Sequence, residues 1–377
     1  MPKPKSGSGQ LRDGGGDAGN HISEWLGHRI YPAVKLDVAA FTGSDFGSCP
    51  FLTEALGQKT SCVKGENSLG VCSVGSVSNG SLQDWLVCPY RVVSSDIVGQ
   101  ACRLIFGQTA VDKYPRPVTV LKTEGELSKF KQQVANDGTG YVFFQDKLGG
   151  EISVIATPRS PEMSFDITLV EIVHGATGFA VGRYGILEVQ TMDFHGSYRR
   201  AVQNLRDALR LHAESFAESL RENMQWSAQS IEGPNIANVF KRTFYQVLLK
   251  FQLSGRGAAA GTVLAVPQSV WDSWQPFLGA PEIERDASGS YRFRITDPVP
   301  ESSGSANAHI LVFDLDSSAG TAISPVQLRM DIRVTAEQLS HHAFKVVPAA
   351  VLESLSKSDS ILARIKMRLA SSWPELR

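Results

Sequence analysis

Residues 165–192 read FDITLVEIVHGATGFAVGRYGILEVQTM, and their spacing decides how the rest of the chain is arranged. Phe165 to Val170 is a β-rich run, Gly175-Ala176-Thr177-Gly178 supplies a turn, and the chain returns through Gly185 to Met192. In the returning run Leu187 and Val189 alternate with Glu188 and Gln190. Period-two alternation marks a strand with two different faces, so Glu188 and Gln190 share one and Leu187 and Val189 the other. Antiparallel pairing across the turn carries Asp166 to Glu188.

Two acids drawn together by a hairpin, with Gln190 two residues on, form a compact set of oxygen donors. Glu151, at the end of KLGGE and with fourteen residues between it and Asp166, adds a third carboxylate. Hard cations take oxygen ligands, and Mg2+ uses one or two carboxylates together with a substrate phosphate. Such a set can hold a cation against a phosphodiester and neutralise charge on the scissile group. Glu188 stands in a largely apolar run, where an unpaired carboxylate is costly, so a metal or a partner is expected beside it. The same acids read blandly are solvated strand positions or salt-bridge partners.

Working outward, 377 residues with 42% apolar and 20% charged side chains make one large domain or two ordinary ones around a sizeable core. The formal net charge of −1 excludes a global basic field, so a nucleic-acid ligand has to be gripped in a local cleft. No apolar run approaches the ~18 residues of a membrane span. The N-terminal MPKPKSGSGQLRDGGGDAGN lacks the apolar centre of a signal peptide and reads as a disordered tail over residues 1–20. A cytoplasmic protein is expected.

The five cysteines, at 49, 62, 72, 88 and 102, are confined to one short region. Clustering of this kind points to a metal more than to disulfides. Cys49, Cys62, Cys72 and Cys88 make a four-thiolate set suited to zinc or iron, and two of them precede proline. Buried small apolar residues are the alternative reading. Cys102, in a helical segment, reads as core.

Periodicity predicts helices over His21–His28, Ser94–Phe106, Glu124–Ala135, Ser197–Asn223, Asn235–Leu253 and the Trp271/Trp274 region, with a final helical region over Val351–Trp373. Strands are expected at Tyr141–Phe144, Thr262–Val266, His309–Leu315 and Arg329–Val334. Residues 40–92, rich in Gly, Ser and Cys and short on pattern, need the cysteine site as a staple. The mixed order of elements indicates an α/β or α+β domain.

The strings SFDITLVEI, RYGILEVQTMDFHGSY, EGPNIANVFKRTFYQ and AVPQSVWDSW, with the series CPFLT, SCVK, GVC and DWLVCP, resemble the NotI-type restriction endonucleases. The likeness covers roughly His21 to Trp274 closely and the C-terminal quarter loosely. It implies a PD-(D/E)XK nuclease fold, an α/β core with a mixed central sheet flanked by helices over residues 111–377 with a C-terminal extension. It also implies an N-terminal cysteine metal-binding region over residues 21–110. Glu151, Asp166, Glu188 and Gln190 would form the active site, with Asp166 and Glu188 on Mg2+. Cys49, Cys62, Cys72 and Cys88 would hold a structural iron.

The resemblance further implies a homodimer acting on double-stranded DNA at a GGCC-centred palindrome, with a cognate DNA methyltransferase as functional counterpart. Phe165-Asp166 replaces the superfamily's Pro-Asp, and Gln190 stands where many relatives have lysine, a glutamine that the NotI type shares. DNA-contact candidates in the similar strings are Arg183, His195, Tyr198, Arg199, Arg200, Lys241, Arg242 and Gln268. Two other classes fit the residues: a metal-stapled DNA-binding protein without catalysis, and a monomeric nicking or repair nuclease.

Overall fold

The computed structural model describes residues 19–36, 47–78, 81–93, 96–110, 113–286, 289–294, 307–357, 361–370 and 372–373. The expected tail, residues 1–20, lies almost wholly outside them. Among the described residues, no helix is long and apolar enough to cross a membrane.

The fold is mixed α/β, organised on a nine-stranded sheet. The 165–192 stretch lies in it as the antiparallel strands Ile167–Gly175 and Gly178–Val189, turning where the glycines of GATG stand. Thr139–Gln145 extends the sheet antiparallel to Ile167–Gly175. On the other side Ala259–Pro267 runs parallel to Gly178–Val189, and Ala308–Leu315 runs parallel to Ala259–Pro267. Val326–Arg333 follows antiparallel, so the sheet is of mixed type.

Alternate residues of these strands divide between two cores. Leu187, Val263, Ala265, Leu311 and Phe313 pack with the helix Asp96–Phe106. Leu264, Val266, Ile310 and Val312 pack on the opposite face with the helices Ile236–Leu253 and Gln268–Trp274. Burial of each such side chain stabilises the fold by roughly 1.5–3 kcal/mol. A Cβ on Gly185 would lie 2.4 Å from Ile105 Cγ2, so the missing side chain is what lets the Asp96–Phe106 helix approach this strand.

Several expectations change. His21–His28 is a hairpin, with His21–Trp25 fully buried and paired to Val71–Ser78. Leu26 and Gly27 take positive φ, which turns the chain back and pairs Trp25 with His28. Burial on both faces erases the period-two signature and leaves a pattern that mimics a short helix. The expected helix Ser197–Asn223 breaks at His212 into Arg199–Leu211 and Phe216–Glu222. The C-terminal region holds Val347–Lys357 and Ile361–Leu369, with residues 358–360 outside those described.

Residues 47–78 and 81–92 carry regular structure of their own, a helix at Pro50–Leu56 and the paired strands Val71–Ser78 and Ser81–Leu86. Residues 40–46 lie outside those described. Cys49, Cys72 and Cys88 share one hydrophobic core with Leu187, Val263 and Phe313, so the cysteine region packs directly on the central sheet.

Candidate active site and cysteine cluster

Register delivers the acids. Leu187 pairs with Ile167, which sets Asp166 against Glu188 at the end of the hairpin. The Asp166 backbone N–H donates to Glu188 Oε1 at 3.3 Å, and the Val189 N–H donates to Asp166 Oδ2 at 2.9 Å. Glu151, Asp166, Glu188 and Gln190 all line one cavity of about 290 Å³. Its other walls include Tyr90, Asp146, Arg242, Thr243 and Gln246.

Each of the four stands differently. Glu188 is 5% exposed, on the face opposite Leu187. Burial first, and then the Asp166 charge, push its carboxyl up to about 7, while Lys250 opposes the rise. Glu151 is exposed, and desolvation with the charges of Asp166 and Asp146 raises its carboxyl above the ordinary value. Asp166 is half-buried. Gln190 Oε1 accepts from the Thr243 hydroxyl and its Nε2 donates to the Thr191 carbonyl, so its amide is held by protein at both ends.

Lys250 is the residue that sequence reasoning missed. Its Nζ lies 2.5 Å from Glu188 Oε2, the two side chains being 2% and 7% exposed. It also sits 5.8 Å from the centroid of the Phe165 ring. Gln190 leaves the strand without a lysine, and the helix Ile236–Leu253 brings one to Glu188 from outside the strand. The signal was present: Thr243, Val247 and Lys250 are spaced i, i+4, i+7 and fall on one helical stripe. A lysine on a buried stripe implies a buried counter-charge.

The DNA-contact candidates scatter. Arg242 lines the cavity and is paired to Asp193 at 2.9 Å. Arg183 is held by both carboxylate oxygens of Glu171, at 3.1 and 3.0 Å, over the Phe106 ring, and does not line the cavity. His195, Arg199, Arg200 and Lys241 are exposed, and Tyr198 is half-buried at the start of the Arg199–Leu211 helix. Gln268 donates to Asp272 at 2.7 Å.

The four cysteines converge, and each pair has a backbone cause. An antiparallel bridge between Ser48 and Ser61 sets Cys49 beside Cys62. The Val87 N–H donates to the Cys72 carbonyl at 3.0 Å, which sets Cys88 beside Cys72. All four line one cavity of about 10 Å³, with Lys64 and Tyr90 in the same wall. The Cys72 side chain beside Cys88 holds the Cys88 thiol below its ordinary value against the cost of burial, helped by Lys64 and the N–H groups of Tyr90 and Arg91, while the Cys72 thiol donates to the Gly70 carbonyl at 3.3 Å.

Burial instead pushes Cys49 up to about 11, although the N–H groups of Leu52 and Phe51 oppose this. Backbone donors aimed at two sulfurs, a nearby ammonium and four soft donors around one atom-sized space fit a thiolate-bound metal. Among the described residues, no three His, Cys, Asp or Glu side chains close to metal-binding separation, so the thiols share a cavity without forming a closed tetrahedron. Cys102 stands apart in the core, pushed up to about 12 by burial.

Neither a protein-family model nor a curated protein sequence matches this chain.

Proposed function

We propose that this protein is a Mg2+-dependent endonuclease of the restriction type, built on a PD-(D/E)XK core, that cuts double-stranded DNA at a GC-rich palindrome as a homodimer. The observation that carries the reading is the convergence of Glu151, Asp166 and Glu188 on one cavity, with the buried Lys250 against Glu188. Asp166 and Glu188 are the carboxylates that would hold the cation, since hard cations select oxygen donors and two carboxylates suffice. When bound, Mg2+ neutralises charge on the scissile phosphate.

The remaining work belongs to the chain. Lys250 favours the ionised form of Glu188 in a site whose burial disfavours it. Thr243 fixes the Gln190 amide, which shapes the wall where the phosphate is received. Glu151 stands at the exposed edge with a raised carboxyl, so its ionised form is a stronger base than an ordinary glutamate. It accepts a proton from the attacking water as the new P–O bond forms and the opposite P–O bond breaks in line, and the leaving oxygen takes a proton from solvent, which gives hydroxyl and phosphate ends. The four thiols of Cys49, Cys62, Cys72 and Cys88 hold a structural metal, iron by the resemblance and zinc as the alternative.

The test is digestion of a large GC-rich DNA with purified protein in Mg2+, with and without EDTA. Discrete fragments whose ends map to one palindrome, absent in EDTA, are the expected result. DNA left intact in Mg2+ overturns the reading.

A further inference from the structure

The segment between Glu151 and Asp166 is a two-stranded ribbon that belongs to neither large sheet. Ile152–Val154 pairs antiparallel with Met163–Phe165, in the register Ile152 to Phe165 and Val154 to Met163. Its tip is stiff. Thr157 and Ser160 exchange backbone hydrogen bonds at 2.9 and 3.2 Å, and their hydroxyls lie 2.7 Å apart. Pro158 occupies the second position of this turn, where its fixed φ suits the bend, and Arg159 the third. Ser153 ties across to Glu162 at 3.0 Å.

The ribbon is costly to display without a ligand. Residues 151–162 are exposed throughout, and Ile155 is 82% exposed. The Arg159 guanidinium makes no hydrogen bond or ion pair among the described residues, whereas Arg183 and Arg242 are tied to acids. Both feet of the ribbon are site carboxylates, so a duplex whose phosphate reaches Asp166 must pass beside it. The major groove of B-DNA admits a two-stranded β-ribbon, and an arginine there pairs with O6 and N7 of guanine.

We propose that the Ile152–Phe165 ribbon is a base-reading arm that enters the major groove beside the scissile phosphate, with Arg159 as the specificity-determining residue for a guanine. This rests on the nuclease reading above. A preordered tip loses little conformational entropy on binding, which favours reading over mere attraction.

The experiment compares wild type, Arg159→Ala and Arg159→Lys on the mapped cognate site and on every single-base-pair variant of it, measuring kcat/KM. Both changes lie at an exposed tip away from the core. The expected result is a roughly ten- to hundredfold loss for Arg159→Ala on the cognate site, with preference relaxed at one base pair. Arg159→Lys should recover only part, because an ammonium cannot make the paired contact. Cognate cleavage and preference unchanged in Arg159→Ala, or an equal loss across all variants, overturns the arm while the nuclease reading stands. A wild-type protein that cuts no DNA overturns the nuclease reading and the arm with it.

Discussion

Lys250 and Glu188 are the pair on which the site turns. Breaking a buried ion pair from one side leaves an uncompensated charge, a loss of about 3–5 kcal/mol. Lys250→Met should lower stability toward that order in urea denaturation at pH 8, where Glu188 is ionised, by less at lower pH, where its carboxyl takes up a proton, and should abolish cleavage. Adding Glu188→Gln should restore most of the stability and none of the activity; a fully stable single variant would contradict the pairing. Glu188 also sets a pH dependence. Its carboxyl is raised from 4.5 to about 7 in the folded chain, so the metal-free fold keeps a proton that the unfolded chain has released. The stability this gives is complete below 4.5 and is lost as pH rises through 7. A cation takes the ionised form, so Mg2+ affinity should rise across the same window and binding should release about one proton. Calorimetry at pH 6.5 in two buffers of different ionisation enthalpy checks this, and buffer-independent heats would contradict it.

Among the elements, the hairpin was legible because the two buried faces of its returning strand differ in chemistry: Leu187 packs in the apolar core and Glu188 lines the acidic cavity, and alternation records that difference. The His21–Trp25 strand was not, because burial on both faces leaves no alternation to read. Lys250 escaped notice because its partner lies 62 positions away, on a strand that only the folded sheet brings to it. The convergence of four cysteines was legible in composition, but the Ser48–Ser61 bridge and the strand pairing that bring them together were not. Tyr90 lines both the cysteine cavity and the acidic cavity, and it follows Cys88-Pro89 directly. Cys88→Ser should therefore lose the bound iron or zinc in elemental analysis, lower Tm and slow cleavage together. A wild-type chain free of both metals, with Tm unchanged in the variant, would contradict the staple. In the hairpin itself, Arg183 holds the Glu171 carboxyl below its ordinary value against the desolvation that opposes it. That stability is present above about pH 4.5 and is lost as pH falls through the lowered value. Glu171→Gln should cost no more than about 1 kcal/mol at pH 7, since Arg183 is half-exposed, and the difference should vanish in strong acid.

At the scale of the whole molecule, a net charge of −1 would leave the proposed DNA recognition to local features, and the structure has a cavity with a ribbon at its edge. Among the described residues, Glu151, Asp166 and Glu188 line a single shared cavity. Cutting both strands of a palindrome therefore calls for two chains related by a two-fold axis. Sedimentation of the protein on its cognate duplex should give two chains per DNA, with breaks paired across the strands. One chain per duplex with single-strand nicks would favour the monomeric nuclease. The most direct test of the central claim is Asp166→Asn, which removes a charge without changing shape. Cleavage in Mg2+ should fall by roughly a hundred- to a thousandfold, while gel-shift binding to the cognate duplex persists. Cleavage at the wild-type rate in that variant would contradict the account.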